Sequence, residues 1–109
     1  MYGDLETMEN YWKQAEYDET AVDKKVCNRP CFLYAAHLTG SAGAVATAII
    51  RDGHDTGGEA VVYLAAVTSG NDIRNFDPPI YFKKGLYIDV VSNATSVLVH
   101  FMPARGKKE

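Results

Sequence analysis

From residue 31 onward the chain is a succession of short apolar runs, at residues 31–38, 44–51, 60–68, 80–83, 86–91 and 97–102. The breaks between them are Thr39-Gly40-Ser41-Ala42-Gly43, Asp52-Gly53-His54-Asp55-Thr56-Gly57-Gly58, Ser69-Gly70-Asn71-Asp72, Asp77-Pro78-Pro79, Lys84-Gly85 and Ser92-Asn93-Ala94-Thr95. Gly, Pro, Asn, Asp and Ser supply the unusual backbone angles and local hydrogen bonds that turns need. Within the runs, side chains alternate with a period of two. Leu86, Ile88 and Val90 share one face while Tyr87 and Asp89 share the other, and Val97, Val99 and Phe101 oppose Ser96, Leu98 and His100. No long helical pattern lies between the runs. The spacing predicts an all-β fold, a small antiparallel β-sandwich of jelly-roll-like form.

The alternation also predicts a core: Val45, Ile49, Val62, Leu64, Ile80, Phe82, Leu86, Ile88, Val90, Val97, Val99 and Phe101. In the second run this sets Val45, Thr47 and Ile49 against Ala44, Ala46 and Ala48, with the alanines outward. Small apolar residues on an outer face let another surface approach closely. Ala44, Ala46 and Ala48 are therefore the expected oligomer interface, in a trimer more than a dimer. A body of roughly 84 residues has a modest core, which association would reinforce.

The first 25 residues read differently. Leu5, Met8, Trp12 and Ala15 fall on one stripe of a helix that Asp4 would cap. The single Trp and three of the seven Tyr lie in the first 17 residues. Such side chains are costly to leave in water, and the expectation is an arm that docks on a neighbour through Tyr2, Leu5, Met8, Tyr11, Trp12 and Tyr17. Residues 1–25 carry seven acids and three bases, against eight bases and seven acids in the remainder. The chain thus divides into an acidic, aromatic and partly helical arm (1–25), a sandwich body (26–103) and a basic tail (104–109).

Composition narrows the function classes. A chain of 109 residues is one domain, and its 47% hydrophobic and 23% charged content describes a globular protein. A net charge of −3 disfavours a dedicated nucleic-acid binder. No apolar run is long enough to span a bilayer, and the first residues have no basic and apolar leader, so the sequon Asn93-Ala94-Thr95 is expected to stay unmodified.

Chemistry is sparse. His37, His54 and His100 stand in none of the paired spacings that hold a metal. Cys27-Asn28-Arg29-Pro30-Cys31 is not the CxxC of a redox helix, and two reduced thiols are expected, with Cys31 buried. Asp52, Asp55 and Glu59 do not follow the EF-hand order and are read as turn residues. No serine sits in a nucleophile elbow and no Gly-Lys-Ser/Thr closes a phosphate loop. Neither an enzyme nor a cofactor or metal is expected.

Several stretches together resemble a known group. They are Cys31-Phe32-Leu33-Tyr34 leading to Leu38-Thr39-Gly40-Ser41, then Ile49-Ile50-Arg51-Asp52-Gly53 with Thr56-Gly57-Gly58, then Pro79-Ile80-Tyr81-Phe82-Lys83-Lys84-Gly85-Leu86-Tyr87-Ile88-Asp89-Val90. Their order over residues 27–102 resembles small β-sandwich virion proteins of tailed bacteriophages, which include head decoration and accessory neck or tail proteins. The resemblance implies a structural role: self-assembly in the host cytoplasm and attachment to the major capsid protein or another virion protein, on the capsid surface. It carries no catalytic residues over. The competing expectation is a carbohydrate-binding or adhesin module, with Tyr34, Tyr63, Tyr81 and Tyr87 as an aromatic platform.

Overall fold

A computed structural model of the chain describes residues 16–104. They form eight strands and, among the described residues, no helix. The strands are β1 (Glu16–Thr20), β2 (Lys24–Cys27), β3 (Cys31–Gly40), β4 (Ala46–Asp52), β5 (Glu59–Ala66), β6 (Asn71–Phe82), β7 (Leu86–Ser92) and β8 (Ala94–Pro103). Sheet A has the order β1-β8-β3-β6 and sheet B the order β2-β7-β4-β5, and every pairing is antiparallel. This is the eight-stranded jelly roll, in which the chain crosses repeatedly between two packed sheets.

The fold class follows the sequence expectation, but its edges do not. The boundary of the arm at residue 25 is too late, because β1 pairs with β8 and β2 with β7. Glu-Tyr-Asp-Glu-Thr and Lys-Lys-Val-Cys lack an apolar face of their own. These short edge strands are held mainly by backbone ladders, and Asp23 between them accepts a 2.8 Å hydrogen bond from the Val90 N–H. The run expected at 80–83 is likewise the end of a twelve-residue strand. Pro78 and Pro79 lie inside β6 because β6 is an edge, where a missing donor costs no ladder bond.

The space between the sheets is filled by Cys27, Cys31, Leu33, Ala36, Leu38, Ala46, Ala48, Ile50, Val62, Leu64, Ala66, Phe82, Leu86, Ile88, Val97, Val99 and Phe101. Ile80 and Val90 pack against this cluster. Two expected core residues do not belong to it: Val45 is 51% exposed, and Ile49 points outward. The face of β4 is inverted. Ala46 and Ala48 are 0% and 1% exposed inside the sandwich, so they cannot form the expected oligomer interface, and Ala44 lies in the loop before the strand. Arg51 shares parity with Thr47 and Ile49, and Asp52 with Ala46, Ala48 and Ile50; the strand turns the guanidinium out and the carboxylate in, where backbone N–H groups satisfy it. Outward, Arg51 Nε donates to Asp89 Oδ2 at 3.0 Å and Nη1 to the Gly58 carbonyl at 3.0 Å.

Asp52, at the end of β4, is 7% exposed. Its carboxylate accepts from the backbone N–H groups of Lys84 at 2.8 Å, Lys83 at 3.2 Å and Gly85 at 3.4 Å. One side chain thereby ties the β4 end to the β6–β7 hairpin. The contact is tight enough to require glycine: a Cβ on Gly85 would stand 2.6 Å from the Cys27 carbonyl oxygen.

Candidate functional site: the outer face of sheet A

Residues of β1, β8, β3 and β6 that point away from the core form a surface of rings. The cause is local. β3 carries Phe32, Tyr34 and His37 on its outer side, β8 carries Leu98, His100 and Met102, and β1 and β6 add Tyr17, Asn75 and Tyr81. Tyr17 stands opposite His100 in the ladder, and the two rings stack with centroids 4.3 Å apart and planes 3° from parallel. Tyr34 meets the same imidazole at 5.6 Å. Further along, Phe32 and Tyr81 are register partners with centroids 5.1 Å apart. Such ring pairs add stability beyond the area they bury.

The register shifts between Leu33 and Ala35 on both sides of β3. Such a bulge bends the strand and re-aims a side chain, and here it brings the Tyr34 ring to His100. A groove of about 170 Å3 opens beside this point, lined by Tyr17, Ala35, His37, Asn75, Leu98 and His100. Burial holds the His100 imidazole below its ordinary value of 6.5, which keeps it neutral at pH 7.

Other candidates resolve into structure. Cys27 and Cys31 are free and buried. Burial, with the Cys27 thiol beside it, pushes the Cys31 thiol up to about 12, so it carries no thiolate near neutral pH. Asp52 holds the hairpin and Asp55 Oδ1 accepts from the Gly57 N–H at 2.8 Å, an Asx turn, which is the turn role expected of them. His54 Nε2 lies 2.9 Å from the Lys84 carbonyl in the same corner.

Of the arm residues, Tyr2, Leu5, Met8, Tyr11 and Trp12 lie outside the described residues, as does the tail beyond Ala104. Tyr17 belongs to β1 and is 64% exposed. The four-tyrosine platform does not exist as one surface: Tyr34 and Tyr81 are on the outside of sheet A, whereas Tyr63 and Tyr87 are on the outside of sheet B. From sequence, His37 and His100 are taken singly and Asn75 is not singled out. The shared parity of His100 and Leu98 in β8 was legible, but Asn75 lies in a stretch that the apolar runs do not mark as strand. Comparison with family models, curated proteins and solved structures finds no significant match to this chain.

Proposed function

We propose that the chain is a non-enzymatic structural protein of a phage virion, a capsid decoration or cement protein that self-associates and binds the major capsid protein. The observation that carries this reading is the outer face of sheet A, where rings and aliphatic groups occupy positions that a solvated sheet gives to charges. Half-exposed aromatic side chains of this kind are the usual anchors of protein–protein contacts. The jelly roll itself recurs in viral capsid domains, a support at the level of fold analogy. The sequence resemblance over residues 27–102 points the same way.

The mechanism is mass action. A protein that binds the assembled shell and not its free subunits stabilises the shell by its binding free energy. Tyr17, Phe32, Tyr34 and Tyr81 would supply the buried centre of the contact, and the acidic N-terminal residues with Trp12 and Tyr11 a second, salt-sensitive one. The test is cosedimentation of the full chain with purified heads that lack it. Saturable binding that raises the temperature of head disruption is expected, with at least a tenfold loss of affinity in Phe32→Ala/Tyr81→Ala, since hot-spot truncations cost about 2 kcal/mol or more. Absence of binding to heads, necks or tails overturns the reading.

A further inference from the structure

One end of the sheet A face lies where the chain enters the fold. Phe32 pairs with Met102 on one side and Tyr81 on the other, so the three stand on one register line across β8, β3 and β6. Tyr81 is 52% exposed, and Tyr17 on the next line 64%. On β1 the line of Phe32 falls to residue 15, because Glu16 pairs with Phe101 and Tyr17 with His100. β1 begins at Glu16, and residues 1–15 lie outside the described residues. That segment therefore meets the sandwich at the edge of this line of rings. Its sequence carries an apolar stripe at helical spacing, Leu5, Met8, Trp12 and Ala15.

We infer that in the free chain residues 1–15 fold back over their own sheet A, with Met8 and Trp12 against Phe32, Tyr81 and Met102. The reach is ample. Strands about 4.8 Å apart make a four-stranded face about 14 Å wide between its outermost strands. Fifteen residues span about 22 Å as a helix and about 50 Å extended. Tethering favours this occupant over a second copy. A segment joined directly to β1 meets the face at an effective concentration in the millimolar range, far above that of another chain in dilute solution. The chemistry agrees, since aromatic and thioether side chains pack well on rings, and each side withdraws apolar surface from water. The placement also keeps Asp4, Glu6 and Glu9 away from Glu19, which stands two lines further along beside Leu98. This is also the face proposed to meet the capsid protein. On that reading a shell takes the place of the segment and frees Tyr11 and Trp12 for the second contact, whereas the packing in the free chain stands or falls without it.

Trp12 is the single tryptophan, so the emission of the full chain reports on it alone. It should lie to the blue of N-acetyltryptophanamide, resist acrylamide quenching and stay unchanged on dilution. In Phe32→Ala/Tyr81→Ala it should move to the red, and quenching should rise severalfold, with the β-type far-ultraviolet spectrum retained. A nitroxide on Asn10→Cys, off the apolar stripe, should broaden the amide signals of Phe32, Tyr81 and Met102 in the same chain. Cys27 and Cys31 are buried and should escape the label. When nitroxide-bearing chains are mixed with isotope-labelled chains that lack the nitroxide, those signals should stay sharp. The nitroxide experiment decides alone if the double variant is poorly folded. The inference is overturned if Trp12 is as exposed as the free amide, or if its emission is unchanged in a folded Phe32→Ala/Tyr81→Ala. It is equally overturned if the three amides stay sharp within one chain, or broaden in the mixture, which would mark a neighbour's segment as the occupant.

Discussion

The two outer faces of this jelly roll are each built from four antiparallel strands, yet they treat their side chains differently. On sheet B the outward residues of β4 and β7 are bonded to one another. Arg51 bridges Asp89 and the Gly58 carbonyl, and the Thr47 and Ser92 hydroxyls meet at 2.9 Å. Tyr87 sits among this polar layer, its hydroxyl pushed up by burial and by Asp23 and Asp89. On sheet A the outward residues are rings that touch one another by stacking and leave a groove between them. Sheet B ties β4 to β7 with side-chain hydrogen bonds, while Val61 and Tyr63 on β5 of the same face stay exposed. Sheet A joins β1 to β8 and β3 to β6 through ring contacts instead. The contrast teaches where function is to be sought: a face whose polar groups already satisfy each other has less to offer a ligand.

β8 allows the sharpest break of that comparison, because it carries core residues inside and site residues outside. Phe101→Ala removes a buried ring and should cost about 3–5 kcal/mol in urea unfolding, and Leu98→Ala on the other side much less. A loss below about 1 kcal/mol at Phe101 would mean that the strand's inner face contributes little to the core. Next in size is sheet B. Arg51→Met leaves Asp89 and the Gly58 carbonyl without their partner in a half-buried setting, and a loss of about 2 kcal/mol is expected, with no effect on capsid binding. If Arg51→Met weakens binding instead, the division of labour between the faces is wrong.

How the faces were read from sequence shows the limits of alternation. β7 and β8 were legible because large residues and polar or aromatic ones alternate in them cleanly. β4 was not, because Ala-Val-Ala-Thr-Ala-Ile-Ile offers apolar side chains on both parities. Its charged end does not decide from sequence either, since Arg51 and Asp52 fall on opposite parities; what separates them is that the β6–β7 hairpin offers backbone N–H groups to a buried carboxylate, while Arg51 finds Asp89 and the Gly58 carbonyl on the outside. β1 and β2 were missed for another reason: as edge strands they are specified by backbone pairing, to which side-chain pattern contributes little. The groove needed four strands in register at once, Tyr17 with His100 with Ala35 with Asn75. No local motif encodes that line, and the long β6 that supplies Asn75 was hidden by its prolines.

Sheet A should respond in the reverse sense from sheet B. Tyr17 is 64% exposed, so Tyr17→Ala removes little buried area and is expected to cost under about 1 kcal/mol of stability. The same change opens one wall of the groove and should weaken binding at this face severalfold. Equal losses of stability in Tyr17→Ala and Arg51→Met would erase the distinction between the two surfaces.

The smallest effect concerns pH, and it isolates a single ring. Burial holds the folded His100 below the ordinary imidazole value of 6.5, so the folded chain binds this proton less readily than the unfolded chain does. The stability tied to neutral His100 is therefore fully present above about pH 6.5 and declines as the pH falls below it, until the folded imidazole also takes its proton. Asp72 does not confuse this window. Partial burial pushes its carboxyl up, the hydrogen bonds from Arg74 and the Ala65 N–H outweigh that, and it is held below 3.8, so its contribution is lost only in stronger acid. A thermal-unfolding series through the window should show a shallow fall of the midpoint toward acid. In His100→Phe, which keeps a ring against Tyr17 and Tyr34 but cannot titrate, the fall should flatten. A slope that persists unchanged in His100→Phe would place the titrating group elsewhere.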